Sequence, residues 1–341
     1  MINSLTSFRF ITAFIVFLFH CNMHLHWRFG INFIDKFVEH GASFMTGFFV
    51  LSGFIMTHVY QNTDFTKRIN IFNYYIKRFA KIYPVYIIAT ILYFCIFHNW
   101  SGSEFVRIIV NDIFLTQAFF ASMFNLGMNG GTWSLTVEMF LYFLFPFLII
   151  LLNKNGKISL ILGGGIALLV TINVTLNQAD NIYINPICRI PDFLTGIGFY
   201  FLLSKKRFNK YFHIFAIIAL FGVCIALGSG KYQYMKGQFL VIPLFGIWIA
   251  SVFYSKSKIY NNKIMVYLGN ISYSFYIWQF AAIEFGRYII KNYNSINLHL
   301  LVLLCLAVNI AMSSISYFCI EEPFRRLILK LSKKITKTLD I

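Results

Sequence analysis

The sequence predicts an all-α integral membrane protein with about ten transmembrane helices. Of its 341 residues, 58% are hydrophobic and 19% aromatic, and the mean hydropathy is +0.69. No soluble core of this size hides that much apolar surface, so lipid is the natural solvent. The apolar runs reach roughly 18–22 residues, the length at which a helix crosses a bilayer; barrel strands would be near ten with alternation. Short basic loops alternate with loops carrying fewer cations.

The first span is expected at 6–26. A single basic residue precedes its apolar core and no small-residue cleavage site follows Phe19, so it reads as a retained anchor rather than a signal peptide. Further spans are expected at 43–60, 79–98, 132–152, 159–177, 186–203, 212–228, 237–254, 265–290 and 299–319. Basic residues mark alternate connections: Lys67, Arg68, Lys77, Arg78 and Lys81; Lys154 and Lys157; Lys205, Lys206, Arg207 and Lys210; Lys256, Lys258 and Lys263; and Arg325 to Lys337 after the last span. The positive-inside rule puts that side, and both termini, in the cytoplasm, with the 27–42 and 99–131 segments outside. The portion Phe105–Phe124 is apolar but carries Arg107, Asn111, Asp112 and Gln117, which predicts an interfacial or re-entrant helix. Residues 1–323 read as one transmembrane domain and 324–341 as a basic cytoplasmic tail, with no soluble domain appended.

The formal charge of +17 comes from these loops. It fits topology setting and attraction to anionic lipid, and it points away from nucleic acid. The six cysteines, Cys21, Cys95, Cys188, Cys224, Cys305 and Cys319, lie in or beside apolar runs without a CxxC pair, as small apolar residues do.

Arg9 and His20 sit eleven residues apart in the first span. Eleven steps of 100° return to within about 20° of the start, roughly 16 Å along the helix. A cation and an imidazole on one face of a membrane helix mark a candidate site. The alternative is an arginine snorkelling inward and a histidine satisfied at the outer interface. Glu138, one turn inside an apolar span, must be paired or protonated. It would orient His20, pair with Arg9, or serve a purely structural pair. Trp133 and Ser134 stand where they could line a pocket mouth; a tryptophan at a span end is also an ordinary interface anchor. Arg189, with Asp192 three residues on, either lines a cavity or pairs along its own helix. Ser52-Gly53 permits close helix approach or a local break. His20 and His24 have ligand spacing but no third ligand nearby, so no metal is expected.

Six patterns in order resemble the membrane-bound acyltransferase 3 family, whose members O-acetylate surface polysaccharides. They are Arg9 to His20; Phe48-Phe49-Val50-Leu51-Ser52-Gly53-Phe54; Lys77-Arg78-Phe79-Ala80-Lys81-Ile82-Tyr83-Pro84; Thr132-Trp133-Ser134-Leu135-Thr136-Val137-Glu138; Leu268 through Ile277; and Glu321-Glu322-Pro323. The pattern departs from the family at Thr46, where an acid is frequent, at Lys77 and Lys81, where arginines are usual, and at Gln279, where a histidine is common. The resemblance implies acyl transfer, most simply acetyl from acetyl-CoA, to a hydroxyl of a surface glycan or its lipid-linked precursor in the bacterial inner membrane. It implies catalytic roles for His20, Arg9 and Glu138. His20 would be a general base or a transient acyl carrier. Lys77, Arg78, Lys81 and Tyr83 would bind the donor, and Ser52, Trp133, Ser134, Arg189 and Tyr273 would line the pocket. Acyl-CoA is then a substrate and no cofactor is permanently held. Missing esterase-like sequence argues against the two-part peptidoglycan enzymes of the family. A glycan exporter is the alternative that composition alone leaves open.

Overall fold

A computed structural model describes residues 2–97, 103–120, 129–177, 182–204, 211–227, 233–293 and 295–338. Every regular element among them is helical. In chain order these are α1 (Asn3–Leu25), α2 (Asn32–Glu39), α3 (Phe44–Tyr60), α4 (Arg68–Phe97), α5 (Ser103–Ile113), α6 (Trp133–Leu152), α7 (Gly156–Asn177) and α8 (Ile190–Leu203). There follow α9 (Tyr211–Leu227), the single turn α10 (Gln233–Lys236), α11 (Gln238–Val252), the single turn α12 (Lys258–Asn261), α13 (Lys263–Asn270), α14 (Ser272–Asn292), α15 (Leu298–Ser316) and α16 (Glu322–Thr338).

Helices stand at all ten positions where apolar runs occur. Among the described residues six helical stretches are both long and apolar enough to cross a membrane: α1, Gly41–Tyr60, Arg68–Ile96, α6, α7 and the continuous stretch Leu298–Lys334. Helices α9 and α11 are apolar but shorter, and α14 carries Glu284, Arg287 and Lys291. The protein is a membrane protein of the helical class.

α1 and α3 are the most enclosed spans, and α7 and the α15–α16 stretch the least, so α1 and α3 form the centre around which the others pack. Contact between α3 and α8 is backbone on backbone. A side chain at Gly53 would meet the carbonyl of Phe193, and one at Gly196 would meet the carbonyl of Val50. Small residues permit this approach, and without it two lipid-bathed helices have little to hold them. Ser52-Gly53 therefore serves close packing; α3 runs unbroken through it. A second aromatic cluster joins α1 to α14, where Phe275 meets Phe10 and Phe17 edge-on at 5.4 and 5.6 Å.

Three elements differ from their expected form. α4 begins at Arg68, not near 79, so Lys77, Arg78 and Lys81 lie about 14–20 Å inside a helix instead of at its mouth. Tyrosines hold this polar first half to α6: Tyr74 Oη donates to the Tyr142 carbonyl at 3.0 Å and Tyr75 Oη to Phe143 at 2.9 Å. Among the described residues of the 99–131 segment the helical elements are the short α5 and a single turn at Gln117–Phe119, with 99–102 and 121–128 outside the described residues. At the other end, Glu321-Glu322-Pro323 does not close a span. A π-helical turn at Tyr317–Glu321 leads directly into α16, which packs on α4, and Pro323 is accommodated in the first turn of α16. The basic run Lys205–Lys210 lies outside the described residues. All six cysteines are unpaired, with Cys21, Cys224 and Cys305 fully buried.

Candidate functional site

A cavity of about 520 Å³ runs beside α3 from Met45 to Val59, walled by α1, α4, α6, α14 and α16. That stretch of α3 is about 21 Å long. Five cations line the cavity, Arg9, Lys77, Arg78, Lys81 and Arg325, against two carboxylates, Glu138 and Glu322. The excess of positive charge suits a ligand carrying several negative charges.

The cations differ in how they are held. Arg78 donates to Tyr60 Oη at 3.3 Å, and its guanidinium lies 5.7 Å from the ring centres of both Tyr60 and Tyr142. Lys77 lies 6.0 Å from the Tyr60 ring. Lys81 pairs with the buried Glu321, whose second oxygen accepts from Ser274 Oγ at 2.8 Å. Arg9 makes no hydrogen bond or ion pair with any described side chain; Glu138, Glu321 and Arg78 are its charged neighbours. Its planar fork is thus available to a ligand.

Glu138 accepts from Ser52 Oγ at 3.0 Å and from the Tyr142 hydroxyl. It sits opposite Arg9 in the cavity without an ion pair to it, and it does not touch His20. Of the alternatives open to Glu138, it therefore neither orients His20 nor pairs with Arg9, and His20 has a different hydrogen-bond partner. That partner is Gln279, whose Oε1 lies 3.2 Å from His20 Nδ1. The Gln279 Nε2 group donates to the Tyr276 carbonyl at 3.0 Å, which turns Oε1 toward the imidazole. Nδ1 then carries the proton and Nε2 is left with its lone pair, the form a base requires.

His20 does not line the cavity. Its ring packs on Phe280 at 4.5 Å and stands 6.1 Å from that of His24. Phe280 in turn covers Gly131, where a Cβ would strike the ring. The Gly131 carbonyl accepts from Tyr276 Oη at 2.8 Å, and Ser134 Oγ donates to Tyr276 Oη at 2.9 Å. Ser134 and Tyr276 line the cavity, and His20 lies behind them, reached through Gly131 and Phe280.

Ser52, Ser134 and Tyr273 line the cavity, and Tyr273 Oη donates to the Ile82 carbonyl at 2.6 Å. Three expected members do not line it. Tyr83 stacks on Phe79 at 4.6 Å and donates to the Ile113 carbonyl at 3.0 Å. Trp133 packs against Tyr183 at 5.0 Å. Arg189 is buried in a separate polar knot: it bonds Asp192 and Thr46 Oγ1, each at 3.3 Å, and the Tyr183 carbonyl at 2.9 Å. Their polar or cationic character marks them equally for packing and for a site, and only the fold separates the two. Sequence reasoning missed Tyr142 and Arg325. The first has a signal, the i, i+4 spacing from Glu138; the second lies beyond the recognised patterns. Among the described residues no group of three side chains could hold a metal.

The acyltransferase domain that defines the acyltransferase 3 family matches residues 2–317. The chain belongs to the acyltransferase 3 family. It is 23% identical over 315 residues to a protein of Staphylococcus aureus (strain COL) provisionally named O-acetyltransferase, a match covering 82% of this chain and 52% of the relative. Identity is also 23%, over 317 residues, to the O-acetyltransferase OatA of Staphylococcus aureus (strain NCTC 8325), with the same coverage. The chain spans about half the length of the curated relatives it matches. No solved structure matches it. In this chain two departures from the family pattern have structural partners. Thr46 supplies Arg189 with a neutral acceptor, and Gln279 orients His20.

Proposed function

We propose that this protein transfers an acyl group, most simply acetyl, from acyl-CoA to a hydroxyl of a cell-surface polysaccharide or its lipid-linked precursor, such as O-antigen, capsule or exopolysaccharide. The observation that carries this reading is the cationic cavity whose inner end approaches His20. Family membership and the names of the S. aureus relatives support it. The protein sits in a bacterial plasma membrane with ten spans and both termini cytoplasmic, as the lysine and arginine bias of its loops indicates. The donor's phosphates engage Lys77, Arg78 and Lys81, and its arm extends along α3 toward Ser134 and Tyr276. Arg9 and His20 lie roughly 16 Å apart along α1, so the donor's length spans the gap between charge binding and chemistry.

In direct transfer, His20 Nε2 takes the acceptor hydroxyl proton as the oxygen attacks the thioester carbonyl. The tetrahedral intermediate expels the thiolate, which recovers the proton from His20. Alternatively Nε2 attacks the thioester carbonyl first and expels the thiolate; the acceptor oxygen then attacks the acyl-histidine, its proton passes to the thiolate, and neutral His20 is restored.

Membranes containing the protein, supplied with radiolabelled acetyl-CoA, are expected to label an acid-stable, alkali-labile glycan ester. Surface glycans that carry identical esters with and without the protein would overturn the reading, and loss of the whole glycan would favour an exporter.

Arg9→Lys tests the unengaged fork. Lysine keeps the charge but cannot hold a phosphate or carboxylate bidentately, so transfer is expected to fall about tenfold. Equal rates for the two proteins would show that Arg9 only snorkels.

A further inference from the structure

The family match ends at residue 317, yet the outer wall of the cavity continues into α16 through Glu322, Arg325 and Leu329. We propose that Arg325 is a ligand for the nucleotide phosphates of the donor, presented by a helix outside the matched domain, with Glu322 as its counter-ion while the cavity is empty. This rests on the acyl-CoA reading above.

Geometry separates Arg325 from its neighbour. Both Arg325 and Arg326 are held by Glu322, Arg325 through Nε and Nη2 at 2.8 Å each and Arg326 through Nε at 2.7 Å. Only Arg325 lines the cavity; Arg326 is 75% exposed and points elsewhere. Guanidinium has five N–H donors, and the contacts to Glu322 occupy two of those on Arg325. The remaining donors can reach a phosphate, and Glu322 keeps Arg326 if Arg325 transfers to one.

Charge supply points the same way. Lys81 is already paired with Glu321, and Arg78 is bound to Tyr60 and flanked by two rings. A donor bearing a pyrophosphate and a further phosphate carries more negative charge than the α4 cluster of Lys77, Arg78 and the Glu321-paired Lys81 neutralises, and planar bidentate recognition of phosphate is what arginine does best.

The position of α16 is fixed, not incidental. It is reached through the π turn Tyr317–Glu321, which shifts the register of everything after it. Glu321 in that turn is locked to Lys81 and Ser274, and Tyr317 itself lines the cavity. The C-terminal helix is thereby pinned to the donor-binding wall of α4.

The test uses the full chain purified in detergent. Binding of unacylated CoA and the KM for acetyl-CoA are measured for wild type, Arg325→Gln, Arg325→Lys and Arg326→Gln. Arg325→Gln is expected to weaken CoA binding and raise KM about tenfold, a loss suited to a half-exposed charge-assisted pair, with kcat within about twofold. Arg325→Lys should recover part of this and reports on the site if the glutamine variant folds poorly. Arg326→Gln should match wild type. With acetyl-pantetheine, which lacks the nucleotide, Arg325→Gln should equal wild type. Equal effects of Arg325→Gln and Arg326→Gln would overturn the proposal in favour of general attraction to anions, as would unchanged CoA binding in Arg325→Gln. A wild-type protein that binds no CoA would instead overturn the donor assignment itself.

Discussion

Replacing His20 with alanine is expected to abolish acyl transfer while the protein still inserts and folds. Loss of a general base costs about 10²–10⁴-fold, and loss of an acyl carrier costs at least as much. The structural consequence is small by comparison. His20 is half-buried, and Gln279 is its hydrogen-bond partner, so removing the pair costs about 1 kcal/mol. Alanine is the best helix former, and α1 is held by its other faces, through Phe10 and Phe17 on α14. The measurement is radiolabel transfer from acetyl-CoA, normalised to protein recovered in the membrane. Retention of more than about a tenth of wild-type activity would remove His20 from both roles. The Gln279 amide is turned by the Tyr276 carbonyl so that Nδ1 is the donor and Nε2 keeps its lone pair.

Hydropathy locates the helices of this chain because most of their surface meets either lipid or an apolar neighbour. It misplaces the start of α4 for a physical reason. Arg68 to Lys81 is polar in composition, but Lys77, Arg78 and Lys81 face a cavity and its tyrosines reach the carbonyls of α6. A scale that prices every residue against lipid therefore rejects the first half of α4 as membrane helix. The same limit governs the site. Arg9, Ser52, Ser134 and Glu138 were legible as polar residues in apolar runs, and the cavity gathers all four. The contact of Lys81 with Glu321 spans 240 residues and is invisible until the fold exists. Trp133 and Arg189 carry the same signal as true lining residues, yet they serve packing. Polarity inside a membrane run marks a residue that has a partner; it does not say whether the partner is protein or ligand.

Arg189→Met is expected to destabilise the protein by about 3–5 kcal/mol, the cost of leaving a buried charge without its partner. Arg189 and Asp192 are both essentially inaccessible, 1% and 0% exposed. The guanidinium lies 4.6 Å from the Tyr183 ring centre and within 6 Å of Phe49 and Trp133. Methionine matches much of its stem but abandons Asp192, which keeps only Gln238 Nε2 at 2.8 Å. The knot joins α3, through Thr46, to α8 and to α11, through Gln238, so its loss should loosen the α3–α8 contact on which one wall of the cavity rests. Thermal unfolding in detergent provides the measurement. Asp192→Asn added to Arg189→Met removes the stranded charge while keeping a group that Gln238 can bond, and the double variant should therefore recover a substantial part of the loss. A single variant as stable as wild type would mean that Asp192 is protonated in the native protein and that Arg189 neutralises nothing. A single variant that is stable but inactive would move Arg189 from the packing of α3 and α8 into the reaction itself.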